Sequence, residues 1–225
     1  MCARFSLTRP RIVAERFASF RLAQDYEPRY NIAPTQDVLA AKNDGAGEVV
    51  PLRWGLVPFW ARDLSMGQRT INARVETLAE KPAFRHALAA RRCLIFADGF
   101  YEWTGAKGDK QPYRFTVDGG APFAFAGLWE RWGPKDAPVE TCTIVTCEPN
   151  ALLARVHDRM PAILDEGAHD AWLHGDVADA LAAVAPFDPA RMGAAPVTRA
   201  VNRATFEDPS CVEPVDLPPV QTALI

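Results

Sequence analysis

Long apolar runs are missing from this 225-residue chain. The longest, Ala121 to Trp129, falls well short of the roughly 18 residues a membrane-crossing helix needs, so no membrane association is expected. Cysteine is scarce and carries no metal-site pattern. Cys2, Cys93, Cys142, Cys147 and Cys211 form no CxxC pair and no Cys/His cluster, so neither a metal nor another cofactor is expected. An odd count points to reduced thiols. Arg4, Arg9, Arg11, Glu15 and Arg16 occupy the stretch where a signal peptide needs its apolar core, and a cytoplasmic location is expected. Repeats, low-complexity tracts and linkers are also absent, which favours one domain over residues 1–225 with an irregular tail from about 216. Nothing calls for an obligate protein partner.

What is present is ordinary in bulk and uneven in distribution. Hydrophobic residues make up 48% and charged residues 24%, the balance of a globular protein. The net charge of −3 hides an asymmetry: residues 1–100 carry 15 basic and 10 acidic side chains, residues 101–225 carry 10 and 18. Lysine is rare, with 20 of the 25 cations being Arg. The planar guanidinium suits phosphate oxygens, so a basic face on the N-terminal half could meet nucleic acid. A GC-rich coding sequence would produce the same bias.

Periodicity predicts an α+β fold around a curved, mostly antiparallel sheet or open barrel, with short peripheral helices. Thr8-Arg9-Pro10 reads as a capped start of a helix reaching about Ala23. Residues 26–36 read as irregular. Strands are expected at 37–41, 48–54, 70–75, 93–97, 100–104, 113–117, 123–132 and 141–146, with a further short one at 197–200. Helices are expected at 82–91, 149–156, 165–174 and 177–184.

The most suggestive chemistry is in Met1-Cys2-Ala3-Arg4. Trimming of Met1 ahead of a small residue would leave a terminal cysteine, with a thiol and an α-amine on adjacent carbons. The amine, with a reference pKa of about 7.7–8.0, is partly neutral near pH 7. It can form a Schiff base with an aldehyde, and the sulfur can then close a thiazolidine on the same carbon. A frayed terminus is the plainer account.

Other stretches carry chemistry with a bland alternative beside each. Glu102, between Tyr101 and Trp103, could be a partly desolvated acid/base, although strand alternation favours an exposed glutamate. His157, in His157-Asp158-Arg159-Met160-Pro161, could shuttle protons or simply bind backbone. Asn72, Arg74 and Glu76 alternate along one strand face and suit either a sugar–phosphate backbone or solvent. Pro58-Phe59-Trp60 could stack on bases or join the core, and Trp54 reads as core. His86, His169 and His174 receive no role. Cys147 reads as a buried small hydrophobe.

In order, Met-Cys-x-Arg-Phe, Tyr30-Asn31-Ile32-Ala33-Pro34, Arg53-Trp54-Gly55-Leu56, Ile71-Asn72-Ala73-Arg74-Val75-Glu76-Thr77, the Asp98 to Trp103 segment and His157 to Pro161 resemble the SRAP family. These are the SOS response-associated peptidases, also called abasic-site processing proteins. Residues 197–215 look like that family's tail. The resemblance implies a sensor of abasic sites in single-stranded DNA that cross-links covalently through Cys2. It further implies Glu102 as acid/base, His157 steadying the opened sugar and supporting reversal or strand cleavage, and Asn72 positioning the reacting atoms. Arg4, Arg74 and Arg159 would meet phosphates, while Pro34, Phe59, Trp60 and Thr146 would line the DNA groove. One departure stands out: Ala3 replaces the family's usual glycine. Two other functions remain open, a cysteine-type self-processing peptidase and a non-covalent single-strand binding module.

Overall fold

The protein was analysed as a computed structural model describing residues 2–106 and 108–217. Most of the irregular tail expected from residue 216 lies outside these limits.

The first half supplies β1 (Phe5–Leu7), α1 (Pro10–Arg16), β2 (Arg21–Leu22), β3 (Arg29–Ile32), β4 (Asp37–Lys42), β5 (Glu48–Trp54), β6 (Asn72–Arg74) and α2 (Arg85–Ala90). The long strands follow as β7 (Arg92–Ala97), β8 (Gly99–Thr104), β9 (Gln111–Val117), β10 (Phe123–Trp132) and β11 (Val139–Cys147). Short elements finish the chain: β12 (Met160–Pro161), β13 (Ile163–Leu164), α3 (His169–His174), α4 (Val177–Ala182) and β14 (Met192–Pro196).

The expected curved, mostly antiparallel sheet is present, and it closes on itself. Strands β5, β4, β7, β10 and β11 pair antiparallel in that order, and β11 then pairs parallel with β5. Along the same edge of β11, β6 takes over where β5 stops, with Asn72 opposite Ile144 and Arg74 opposite Thr146. The handover needs the loop after Trp54 to fold back hard. Gly55 (φ +123°) and Gly67 touch backbone to backbone there, and a Cβ on Gly55 would lie 2.5 Å from the Gly67 carbonyl oxygen.

A second, antiparallel sheet runs β14–β9–β8–β1–β3. Phe5 of β1 joins the two sheets, its ring 5.1 Å from Trp54 and 5.7 Å from Phe125. Trp54 is fully buried, as expected.

Several local expectations need correction. Helix α1 stops at Arg16, and Thr8 does not cap it. Its hydroxyl donates instead to Asp98 Oδ2 at 2.6 Å, a tertiary demand that outweighs capping. The 26–36 stretch contains β3, since β1 offers it a free edge. The 149–156 stretch forms only a 3₁₀ turn, Leu153–Arg155. The late strand is 192–196, while Arg199–Asn202 is a 3₁₀ turn. Such short apolar runs fit several local conformations, and only their partners decide among them.

The start of the chain is fastened by a buried polar cluster. Asp98, 1% exposed, accepts from Ser6 Oγ (2.8 Å), from the Thr8 hydroxyl and amide, and from Arg114 Nη2 (2.9 Å). Gly99 admits Arg114, because a Cβ there would lie 2.5 Å from the guanidinium. Asp98→Ala would strand the largely buried Arg114 charge and is expected to destabilise the fold by about 3–5 kcal/mol in urea unfolding. A loss below 1 kcal/mol would show that water, not Asp98, satisfies Arg114.

Candidate active site

Cys2 lies three residues before the first residue of β1 and is completely buried. Asn72 Nδ2 donates to the Cys2 carbonyl at 2.7 Å, so the parallel strand beside β11 holds the first peptide of the described chain. The Cys2 sulfur lies 3.8 Å from the Arg4 carbonyl oxygen. Burial, and then the nearby Glu102 carboxylate, push the thiol far above its ordinary pKa. The resting sulfur is therefore protonated, and it becomes nucleophilic only as a base removes that proton.

Glu102 sits in β8, with Tyr113 of β9 as its cross-strand neighbour. Alternation along the strand favours an exposed glutamate, yet the side chain is buried at 4% exposure. Ala3, Val156 and His157 line the same cavity, a neighbourhood that local pattern does not reveal. Burial raises this carboxyl above the usual glutamate value. His157 is half-buried and shifts in the opposite direction, its imidazole pKa lowered chiefly by desolvation. Its Nδ1 accepts from the Arg159 amide at 3.0 Å, leaving Nε2 as the donor of the neutral ring. The same Nδ1 lies 2.8 Å from Asp158 Oδ1, a contact that protonation of the ring turns into an ion pair.

One cavity of about 550 Å³ is shared by Glu102 and His157, with Cys2 buried next to its lining residue Ala3. It is lined by Ala3, Glu102, Trp103, Gly108, Lys110, Val156, His157 and Asn202. Ala3, the departure from the expected glycine, thus lines the cavity itself. Trp103 Nε1 donates to Asn202 Oδ1 at 2.6 Å, which fixes one wall. Arg4 is half-buried behind it, 6.0 Å from the Trp103 ring, and donates to Asn31 Oδ1 (2.9 Å) and the Val201 carbonyl (2.8 Å).

The remaining sequence candidates spread outward. Arg74 is exposed on β6, two residues beyond Asn72. Arg159 makes a two-point ion pair with Glu76 (2.6 and 2.8 Å) and donates to the Thr146 carbonyl (2.7 Å). Thr146 itself is fully buried, so it reaches a groove only through the guanidinium on its carbonyl. Pro34 is half-buried beside Thr35, whose φ is +72°. Phe59 and Trp60, at 55% and 47% exposure, are the exposed large hydrophobics among the described residues. Trp60 borders a separate cavity of about 410 Å³ with Arg62, Met66 and Arg69. Cysteines 93, 142, 147 and 211 are buried free thiols.

The family model described as SOS response associated peptidase (SRAP) matches residues 1–204. The chain belongs to the SRAP family. Among its relatives, the abasic site processing protein YoqW of Bacillus subtilis is 41% identical over 222 residues, covering 95% of this chain and 99% of YoqW. The mouse abasic site processing protein HMCES is 32% identical, covering 96% of this chain and 77% of that protein. A crystal structure of a Bacteroides thetaiotaomicron protein superposes with a TM-score of 0.85 at 26% identity, covering 95% of this chain and all of that one.

Within this SRAP chain, the sequence reading missed the Trp103–Asn202 wall and Lys110. Both depend on the C-terminal segment returning to β8 and β9, and neither has a local periodic signal. Glu102 gives a pH test of the site. Its folded pKa is raised, so its contribution favours the fold at low pH and is lost as pH rises through the folded value. Glu102→Gln is therefore expected to unfold at a higher temperature than wild type at pH 8, with the difference vanishing near pH 4. Equal melting temperatures at both pH values would mean that the carboxylate is adequately solvated.

Proposed function

We propose that this SRAP protein captures abasic sites in single-stranded DNA by covalent cross-linking to Cys2, once Met1 has been removed. One observation carries the reading: the buried Cys2 thiol feels the charge of Glu102, and that carboxyl lines one open cavity with His157 and with Ala3, the neighbour of Cys2. The names of the relatives, abasic site processing proteins, support the choice of substrate.

The chemistry follows from the two nucleophiles of a terminal cysteine. Glu102, held towards its protonated form by burial, gives a proton to the ring oxygen as the C1′–O bond breaks, and the anomeric hydroxyl's proton returns to the carboxylate as the aldehyde forms. The Cys2 amine attacks the carbonyl carbon, and loss of one water leaves an imine. The thiol then adds across the C=N bond: sulfur bonds to carbon and the thiol proton passes, by way of Glu102, to nitrogen. The product is a five-membered thiazolidine. The Asn72 hydrogen bond holds the Cys2 peptide so that both nucleophiles face one carbon. His157 Nε2–H meets the hydroxyl of the opened sugar, and the same group serves reversal or strand cleavage. Arg4, Arg74 and Arg159 border the path of the phosphates, and Phe59 and Trp60 offer rings for base stacking, worth about 1–3 kcal/mol per base.

The family description names a peptidase, and Cys2 beside Glu102 also suits removal of Met1 by the protein itself. Mass spectrometry of protein made without methionine aminopeptidase tests this step, and an intact Met1 would exclude it.

Processed protein incubated with a uracil-derived abasic oligonucleotide is expected to give an adduct that survives a denaturing gel. Cys2→Ala should abolish it, and Glu102→Gln should slow its formation by about 10²–10⁴-fold with little change in DNA affinity. A full yield of stable adduct from Cys2→Ala would rule out the thiazolidine. Complexes that salt dissociates completely, with no adduct in the wild type, would establish the non-covalent binding module instead.

A further inference from the structure

Lys110 is a cavity-lining cation that the reaction described above does not use. It is exposed at the mouth of the cavity, while Glu102 lies buried within it. Its position is set from both sides. Asp109 before it is ion-paired with Arg199. Gln111 after it is 5% exposed, donates to the Val197 carbonyl at 2.7 Å and accepts from Arg199 Nε at 3.2 Å. The 3₁₀ turn Arg199–Asn202 and its approach thus grip the backbone around Lys110, and the adjacent carboxylate is already occupied. Among the described residues Lys110 forms no salt bridge of its own, and its exposed ammonium, part of the cavity lining, carries three donors.

Resting on the proposed capture of abasic DNA, we infer that Lys110 clamps the phosphodiester flanking the abasic sugar, holding that sugar with its carbonyl carbon towards Glu102 and Cys2. The layout of the cavity matches the shape of the substrate. An abasic nucleotide has no base to hold its sugar in a stack, so the sugar can turn into the cavity while its two phosphates stay at the rim. A cation at the rim and an acid/base inside are what that geometry needs. The Lys110 charge also reaches inward, favouring the ionised form of Glu102 and opposing protonation of His157. An intact nucleotide would have to bring its base into the same cavity, so the contact is expected to favour abasic strands. Lys110 is a positioning residue in this scheme: it touches a spectator phosphate and no reacting atom.

The test compares wild type, Lys110→Gln and Lys110→Arg in non-covalent binding to two single-stranded oligonucleotides. One carries a tetrahydrofuran abasic analogue, which has no aldehyde, and the other is the same undamaged sequence. Lys110→Gln is expected to weaken binding of the analogue strand roughly 3–10-fold at low salt and to reduce the slope of log K against log salt by about 0.7. Binding of the undamaged strand should be unchanged, and Lys110→Arg should behave as wild type. On a true abasic strand at sub-saturating concentration, the cross-linking rate of Lys110→Gln should fall in proportion to the binding loss. An unchanged slope for Lys110→Gln overturns the clamp, as does equal weakening on both strands. Borohydride trapping of an imine in Cys2→Ala that disappears on adding Lys110→Arg would make Lys110 a nucleophile and likewise overturn it. Failure of the wild type to cross-link would strike the proposed reaction, whereas the salt slopes on the analogue report on Lys110 alone.

Discussion

The site depends on keeping a chain terminus still. Ends of chains fray because little holds them, and in the proposed reaction a cysteine presenting two nucleophiles to one carbon cannot tolerate that freedom. Here the restraint is the Asp98 carboxylate, which accepts from Ser6, Thr8 and Arg114 at once. It pins β1 at the edge of β8, while Phe5 anchors the same strand against Trp54 and Phe125. Asn72 then fixes the peptide in front. A buried ion pair is an uncertain source of net stability, because desolvation offsets its attraction. Its value here is positional.

Burial also sets the protonation states on which the chemistry turns. The low-polarity surroundings that immobilise Cys2 favour the neutral form of every group in them. They raise the cysteine thiol, raise the Glu102 carboxyl and lower the His157 imidazole. The result is a site at rest with few charges and protons held in reserve, which suits a reaction that opens a sugar ring, expels water and moves a proton from sulfur to nitrogen. A solvated site of the same residues would hold an ionised glutamate with nothing to donate.

Much of this was legible before the structure, and unevenly so. The long strands 48–54, 93–97 and 123–132 could be read because their pattern is long enough to outvote alternatives. The closure of the barrel could not, because the parallel β11–β5 pairing joins residues nearly ninety positions apart and leaves no local trace. Glu102 and His157 could be nominated by type and context, but their burial is a property of the assembled cavity. Thr8 illustrates the opposite error, since its local pattern was a sound helix cap and a distant carboxylate claimed it. The Trp103–Asn202 wall was invisible for the same reason.

That wall bears on how the fold divides its labour. In the proposed reaction the chain start, β6, β8 and the His157 loop supply the reacting and positioning groups, whereas the segment from Val197 onward supplies none of them. Yet it closes the cavity through Asn202, holds Arg4 through the Val201 carbonyl, and accepts the Asn31 amide on the carbonyls of Arg203 and Phe206. Glu207 returns to the backbone amides of Tyr30 and Asn31, and Tyr101 reaches the carbonyls of Tyr30 and Cys211. The segment contains little regular structure, so these polar contacts take the place of a strand ladder. On the proposed reading the terminus has to stay accessible to DNA, and a sheet laid over it would close that access. A strap fastened by side chains forms one wall of the cavity through Asn202 and leaves the mouth open.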